Sequence, residues 1–387
     1  MRKLVRWLMR IGLALVLAAV AVGLWKREEI TRLLAVNSLF EEGRIVENFS
    51  HMNRAFLTVP VPRGPGPVSE LPEGPQAALP EQVGAWIEAR DVTSLLVMKG
   101  GEVVHESYHM GTGELDRRIS WSMAKSFLSV LFGNVREEGA IGSLDDQVTQ
   151  YAPRLQGSAY EGVSIRNVLQ MTSGIAFGED YLDYDSDINR MGRVLALGGT
   201  MDGFAAGLTE RAAEPGTLWH YVSIDTHVLG MVIRGATGRD IPSLMAEKVI
   251  EPMGLEAEPY YISDGEGVAF VLGGLNLTTR DYARFGQMVL QDGRWNGRQI
   301  VSRDWIEAST APSAPTRPGK VRYGYQWWLP ADGRPGVIYA RGIYGQYIYI
   351  DRTRDVVIVV TAADRGFRDD GVHEANMAML NAIAEAL

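Results

Sequence analysis

Strand patterns occur near both ends of the globular part of this sequence, and a helical, turn-rich stretch separates them. Residues 93–98 and 103–108 flank a Lys-Gly-Gly turn, which is typical of a β-hairpin. Residues 347–350 and 356–361 flank a second polar turn in the same way. Helical spacing dominates between about 122 and 248. This order predicts one sheet assembled from distant segments, in an α/β or α+β domain.

The first thirty residues have the pattern of an export signal. Four basic residues precede an uncharged apolar run over 11–25. Counting back to Trp7 brings the segment near the lower limit of about 17 residues for a membrane-spanning helix. We predict that residues 1–30 are an uncleaved signal anchor in the inner membrane, with the rest of the chain on the periplasmic, extracytoplasmic side. Cleavage near 19–21, followed by secretion, is the alternative.

Residues 31–80 are predicted to be an arm followed by a proline-rich linker. Seven prolines occur between 60 and 80, which disfavours a compact core there. A regular pattern begins at Glu81, so we predict one domain over 81–387.

Composition excludes several classes of site and partner. The chain has no cysteine, so thiolate nucleophiles, thiolate metal ligands and disulfides are excluded. Its formal net charge of −9 disfavours nucleic-acid binding, which normally needs a basic face. We expect no cofactor and no metal, and the oligomeric state stays open. Lysine is scarce, with only six residues, so a lysine inside a motif carries information.

Ser122-Met123-Ala124-Lys125 is the only S-x-x-K tetrapeptide of the chain. Apolar residues recur at helical spacing after it, which predicts that Ser122 lies on the first turn of a helix. Positions i and i+3 share a helix face, so the Lys125 ammonium can reach the Ser122 hydroxyl. A lysine accepts the proton of such a hydroxyl only if its pKa falls well below about 10.4. Taken alone, the tetrapeptide also fits an N-cap serine followed by a solvated lysine.

Two further segments fit the same chemistry. Tyr221, in Trp-His-Tyr-Val-Ser, supplies a phenol that can relay protons to a leaving group when it lies beside a lysine. Gly342, in Ala-Arg-Gly-Ile-Tyr-Gly, lets the backbone pass close to a substrate, where an N–H at the strand edge can complete an oxyanion hole. In isolation, a core tyrosine and an ordinary glycine turn explain these two segments as well.

The order of the three motifs resembles the layout of the serine β-lactamase and penicillin-binding family. Leu-Gln-Met-Thr-Ser-Gly at 169–174, Tyr-Val-Ser-Ile-Asp-Thr-His at 221–227 and Gly-Gly-Leu-Asn at 273–276 are similar to its 6-aminohexanoate-dimer-hydrolase branch of esterases and amidases. The resemblance covers about residues 81–387. It implies an α/β domain with an antiparallel sheet flanked by helices and an all-helical insertion, and with the site between them.

Carried over by position, the resemblance implies an acyl-enzyme mechanism on esters or short linear amides. Ser122 is then the nucleophile, Lys125 its base and Tyr221 the proton relay. The backbone N–H groups of Ser122 and Ile343 form the oxyanion hole. Tyr181 matches a tyrosine that contacts the substrate in the amide-hydrolysing branch. A small-molecule ester or amide is the expected partner, and the natural one is not predicted.

The sequence departs from the family pattern at two places. Arg341 follows an alanine where the family has Lys or His and a small hydroxyl residue, and Ser223 stands where asparagine is frequent. With Gly342 and Tyr344, these residues complete the predicted substrate contacts, while alternation along a strand leaves the direction of Arg341 open. The departures weaken the recognition of β-lactams and peptide carboxylates. A β-lactamase or D,D-peptidase-like enzyme is the alternative, and an acylated sensor without turnover is a remote one.

His105-Glu106-Ser107-Tyr108-His109 matches the H-E-x-x-H signature of zinc proteases. That signature needs a helix, so that both imidazoles share a face. The valines before the segment and the glycines after it predict the second strand of the hairpin, where residues four apart lie about 13 Å apart. We therefore expect no zinc site there. A Ser-His-Asp mechanism is also disfavoured, because no G-x-S-x-G elbow is found.

Overall fold

The computed structural model describes residues 2–181 and 183–387. Helices and strands are numbered in chain order. The α-helices among the described residues are α1 (Arg2–Trp25), α2 (Arg27–Asn37), α3 (Ile45–Ser50), α4 (Val83–Ala89), α5 (Ala124–Glu137), α6 (Val148–Tyr151), α7 (Ile165–Leu169), α8 (Asp187–Ala196), α9 (Met201–Ala206), α10 (Ser223–Thr237), α11 (Ile241–Met245), α12 (Glu251–Met253), α13 (Thr279–Leu290), α14 (Arg303–Ser309) and α15 (Val372–Glu385).

Short 3₁₀ turns and one π turn complete the helical structure. They are Met52–Arg54, Trp121–Met123, Pro153–Leu155, Ile343–Gly345 and the π turn Ala246–Ile250. The strands are β1 (Leu57–Pro60), β2 (Val92–Lys99), β3 (Glu102–Tyr108), β4 (Arg118–Ile119), β5 (Tyr260–Ser263), β6 (Leu275–Leu277), β7 (Arg294–Trp295), β8 (Arg298–Gln299), β9 (Arg322–Tyr323), β10 (Trp328–Leu329), β11 (Val337–Gly342), β12 (Gln346–Asp351) and β13 (Val356–Ala362).

The main sheet has seven antiparallel strands in the order β3-β2-β13-β12-β11-β10-β9. Both predicted hairpins are confirmed, since β2 pairs with β3 and β12 pairs with β13. Successive side chains of a strand enter opposite faces, so Val357 and Val359 belong to the core that contains α5 and α13. Val356, Ile358 and Val360 belong to the core beneath α4 and α15. Because helices cover both faces, β12 and β13 are buried along their whole length.

The described residues between β4 and β5 form helices α5 to α12, which agrees with the predicted helical insertion. Helix α5 lies at its centre and buries eleven of its fourteen residues. Gly133 lets the Trp305 ring pack directly on this helix, because a Cβ there would lie 2.3 Å from the ring. Helix α10 packs on α5. This packing places the start of α10, at Ser223, beside Lys125 on the first turn of α5.

The segment over 31–80 packs against the rest of the protein, which the sequence analysis did not predict. Strand β1 pairs with β5 in a second sheet of four antiparallel strands, in the order β1-β5-β6-β4. Phe49, Met52 and Val61 are fully buried in the main core. The division of the chain at residues 30 and 80 stays a prediction.

Helix α1 buries none of its side chains. By length and composition it can cross a membrane or serve as a signal sequence. The apolar run seen in the sequence is therefore one continuous helix.

Candidate active site

The nucleophile candidate Ser122 lies in the 3₁₀ turn Trp121–Met123, immediately before α5. The sequence predicted the first turn of a helix, and the regular α-helix begins two residues later, at Ala124. The residue before the serine, Trp121, has a φ of +43°, in the left-handed region that bulky side chains rarely adopt. This turn leads the chain from β4 into α5 and leaves Ser122 on the wall of a cavity.

Lys125 lies on the first turn of α5 and is only 1% exposed. Its Nζ lies 3.0 Å from Ser122 Oγ and 3.3 Å from Ser223 Oγ, and it donates to the Leu272 carbonyl oxygen at 2.7 Å. Burial lowers the pKa of Lys125 to about 7, while the Glu179 carboxylate acts in the opposite direction. An amine with this pKa is largely neutral in mildly alkaline solution, so it can accept the proton of the serine hydroxyl.

Tyr221 stands two residues before α10, and the nearby hydroxyl groups of Ser122 and Ser223 act to lower the pKa of its phenol. Its ring lies 5.2 Å from Lys125 Nζ and stacks on the Trp328 ring at 5.0 Å. Burial raises the pKa of Tyr221, so the phenol stays protonated at neutral pH. The structure thus brings together the three residues of the predicted catalytic unit.

Glu179 is a site residue that the sequence analysis missed. Its carboxylate accepts a hydrogen bond from the Ser223 backbone N–H and another from the Tyr181 hydroxyl, at 2.9 Å. Burial raises the pKa of Tyr181, and the charge of Glu179 adds to that effect. Glu179 therefore ties the loop that carries Tyr181 to the first residue of α10. Its signal in the sequence was weak, because Asp180 and Asp183 make the whole loop acidic.

The turn Ile343–Gly345 joins β11 to β12 beside Ser122. A Cβ on Gly342 would lie 2.6 Å from the Ser120 carbonyl oxygen, so glycine is required where the end of β11 passes the Ser122 turn. Ile343 lines the same cavity as Ser122. The oxyanion hole formed by their two N–H groups stays a prediction, and this close approach supports it.

The cavity next to Ser122 has a volume of about 380 Å³. Three predicted substrate contacts, Tyr181, Ser223 and Tyr344, line it. Tyr344 has a φ of +58°. Its ring stacks at 5.0 Å on the ring of Phe40, which follows α2 and also lines the cavity.

Arg341, whose direction the sequence left open, is half-buried next to an aromatic layer. Its guanidinium lies 5.9 Å from the Trp328 ring, which stacks on Tyr221. Of the described residues, neither Arg341 nor Gly342 lines the cavity. Arg341 therefore contacts the Trp328 ring, and that ring in turn contacts Tyr221. The role of Arg341 as a substrate contact stays a prediction.

Residues 87–381 match a family model described as Beta-lactamase. The chain belongs to the beta-lactamase family. A 6-aminohexanoate-dimer hydrolase from Paenarthrobacter ureafaciens is 31% identical over 287 residues, which cover 70% of this chain and 73% of that protein. The resemblance inferred from the three motifs is confirmed, and the chain is a serine hydrolase of the esterase and amidase type within this family.

Solved structures of lower sequence identity share the fold. A candidate 6-aminohexanoate-dimer hydrolase from Bacillus anthracis matches with a TM-score of 0.79 at 22% identity, over 90% of this chain and 95% of that one. A D-stereospecific amidohydrolase from Streptomyces sp. matches with a TM-score of 0.58 at 20% identity, over 77% of this chain and 98% of that one. The predicted antiparallel sheet flanked by helices is confirmed.

The H-E-x-x-H segment of this beta-lactamase-family protein begins in β3, as predicted, and ends one residue beyond it. Glu106 is paired with Arg280 at 2.6 Å, so it is not a free base. The Nε2 atoms of His105 and His109 lie 3.1 and 3.0 Å from Ser107 Oγ, which brings the rings closer together than the backbone spacing suggested. Within the described part of the chain, no group of three His, Cys, Asp or Glu side chains could hold a metal ion.

Proposed function

We propose that this hydrolase forms an acyl-enzyme on Ser122 and acts on esters or short linear amides. The observation that carries the proposal is the buried Lys125 amine, which lies 3.0 Å from the Ser122 hydroxyl and has its pKa lowered to about 7. The 31% identical relative, named as a 6-aminohexanoate-dimer hydrolase, supports a linear amide as one class of substrate.

In acylation, Ser122 Oγ attacks the carbonyl carbon of the substrate while the neutral Lys125 amine takes the hydroxyl proton. The carbonyl oxygen becomes an oxyanion, which the backbone N–H groups of Ser122 and Ile343 stabilise. Tyr221 gives its proton to the leaving alcohol or amine as the C–O or C–N bond breaks, and Lys125 then reprotonates Tyr221. The hydrogen bonds of Lys125 to the Ser122 and Ser223 hydroxyls, with the Tyr221 ring 5.2 Å from Lys125 Nζ, support a short path for this proton.

Deacylation runs the proton transfers in the opposite direction. A water molecule attacks the acyl-enzyme carbonyl and passes a proton to the Tyr221 oxygen, while Tyr221 passes its own proton to the neutral Lys125 amine. Ser122 Oγ recovers that proton when its bond to the acyl carbon breaks, and the carboxylic acid leaves. One water is consumed per cycle, and the enzyme returns to its starting protonation state.

The position of Arg341 favours neutral esters and amides over β-lactams and peptides with a free carboxylate. Ala340 has no donor, and the Arg341 guanidinium lies against Trp328. Arg341 therefore supplies no cationic anchor for a substrate carboxylate, and the cation that does line the cavity, Arg193, lies against the Tyr184 ring. A hydrogen bond to a charged group contributes about 1.5–3 kcal/mol, or roughly one to two powers of ten in kcat/KM.

Substitution of the nucleophile tests the proposal. Ser122→Ala should lose nearly all turnover of a short acyl ester and all labelling by a fluorophosphonate probe. Ser313→Ala, which changes an exposed serine outside the cavity, is the matched control and should keep both. An alanine variant at 122 that labels and turns over normally would refute the mechanism. Repeated turnover by the wild type distinguishes an enzyme from an acylated sensor, which stops after one burst.

We also infer that α1 anchors the protein in the inner membrane, with the hydrolase domain on the periplasmic side. The absence of buried side chains along the described helix supports an environment outside the protein core. The basic residues before its apolar run support a cytoplasmic N-terminus.

A further inference from the structure

The cavity beside Ser122 is mostly apolar, and three parts of the chain supply most of its lining. The segment of α2 and the residues after it form one wall, α8 forms a second, and the stretch around β5 and β6 forms a third. Their apolar side chains include Val36, Leu39, Phe40, Met191, Leu195 and Phe270.

Charge is nearly absent from this cavity. Among the described residues that line it, Arg193 is the only one with a charged side chain. Its guanidinium lies 4.0 Å from the Tyr184 ring and donates to the Tyr184 carbonyl oxygen at 2.7 Å. An ammonium group in the cavity would therefore lose its hydration without gaining a charged partner, and a carboxylate would meet a single cation, which already contacts Tyr184. The occupant that suits these walls is an uncharged hydrocarbon.

The wall after α2 is held in place by specific contacts. The Phe40 ring stacks on Tyr344 at 5.0 Å and lies 5.9 Å from the Trp121 ring. Arg32 Nε, in α2, donates to the carbonyl oxygen of Ala196 at the end of α8 at 3.4 Å. The segment thus joins the residue before the nucleophile to the turn that carries Ile343.

The position of the proton relay indicates which part of a substrate lies in the cavity. Of the described residues, neither Lys125 nor Tyr221 lines it, whereas Ser122 and Ile343 both do. The leaving group must lie near Tyr221 to receive its proton. The other substituent of the carbonyl, which is the acyl chain, is then directed into the apolar cavity.

We propose that this cavity is an acyl-chain pocket, which makes esters and amides of unbranched, uncharged fatty acids the preferred substrates, with Phe40 as a specificity-determining residue. The inference rests on the proposed function, because it assumes attack by Ser122. It narrows the proposed substrates, esters and amides, to those whose acyl group is an apolar chain.

Gly192, in α8, allows the pocket to be filled by design. It lines the cavity, and a Cβ on this residue would meet no atom within 4 Å. Gly192→Phe should therefore place a ring in the space of the acyl chain. Gly84, in α4, also has no atom within 4 Å of a Cβ and does not line this cavity, so Gly84→Phe is the matched control.

The test is a series of p-nitrophenyl esters from acetate to octanoate, used below their aggregation concentrations with the full-length protein. Burial of each methylene should raise kcat/KM about fourfold until the pocket is full, so the octanoate-to-acetate ratio should exceed about tenfold. Gly192→Phe should lower that ratio at least tenfold, and Phe40→Ala should lower it by removing one wall. Gly84→Phe should keep the wild-type ratio.

Three results would overturn the pocket while leaving the Ser122 mechanism intact. One is a flat or falling wild-type series with robust acetate turnover, and a second is a Gly192→Phe variant that folds and keeps the wild-type ratio. The third is a kcat/KM that rises with the length of the alcohol chain in a series of alkyl acetates and does not rise with the length of the acyl chain. Ester turnover that is equal in wild type and Ser122→Ala would instead refute the proposed function.

Discussion

Replacing Lys125 by methionine should change how the stability of the protein depends on pH. Burial lowers the pKa of this lysine from 10.5 in the unfolded chain to about 7 in the folded one. Between these two values the unfolded state holds one more proton than the folded state, so the free energy of unfolding rises with pH by about 1.4 kcal/mol per unit. Below about pH 7 both states hold the proton, and this contribution is constant. The Lys125→Met variant lacks the whole effect.

The expected magnitude is large enough to measure. From pH 7.5 to 9.5, the free energy of unfolding of the wild type should gain on the order of 3 kcal/mol relative to Lys125→Met. If Lys125 is the base, the same pKa should also set how the activity of the wild type depends on pH. At pH 8 an amine of pKa about 7 is roughly 90% neutral, whereas one of pKa 10.5 is roughly 0.3% neutral. Removal of the base should lower kcat/KM by about 10²–10⁴-fold.

The assay is urea unfolding of the full-length protein in mild detergent at several pH values, in parallel with ester turnover. Lys320→Met removes an exposed lysine and controls for the loss of one positive charge. Other titrating groups are common to both proteins, so they cancel in the difference. If the curves of wild type and Lys125→Met stay parallel from pH 7.5 to 9.5, Lys125 ionises normally and cannot be the base.

Three other outcomes are expected. Glu179→Gln keeps an acceptor for the Ser223 N–H but removes a charge that raises the pKa of Lys125, so the acidic limb of the kcat/KM profile should move to lower pH; an unchanged limb would contradict this electrostatic role. A chromogenic cephalosporin should be hydrolysed at least roughly tenfold more slowly than the best ester; faster hydrolysis would mean that Arg341 turns towards the substrate. The full-length protein should stay in the membrane fraction after alkaline and high-salt washing, and its domain should be cleaved by protease from the periplasmic side; a soluble form lacking the first twenty-odd residues would indicate a cleaved signal peptide.

The parts of the fold that were predictable from the sequence have strong local patterns. The hairpins β2–β3 and β12–β13 consist of strands of six to eight residues separated by polar turns. The second sheet has no such signal, because β4 has two residues, β6 has three, and β1 and β5 have four each. Strand β1 meets β5 only after the chain has closed over more than two hundred residues, from Leu57 to Ser263.

The residues of the candidate site also fall into two groups, those that belong to a sequence motif and those that do not. Ser122, Lys125 and Tyr221 belong to motifs whose order along the chain carries information. Glu179 and Phe40 have no motif, and the fold alone brings them to the site. The proline-rich composition of the segment over 31–80 predicted an arm and a linker, but composition does not reveal that Phe40 packs on Tyr344.

The aromatic contacts of this segment explain how the site keeps two uncommon backbone conformations. Trp121 precedes Ser122 and Tyr344 follows Ile343, and both have positive φ although neither is glycine. Each such residue costs on the order of 1–3 kcal/mol. Phe49, fully buried, lies 5.4 Å from the Trp121 ring and 5.3 Å from the Tyr344 ring, and Phe40 contacts the same two rings. Four aromatic pairs at about 0.5–1.5 kcal/mol each are enough to offset that strain. The N-terminal segment therefore stabilises the geometry of the nucleophile turn and of the turn after β11, in addition to forming a wall of the cavity.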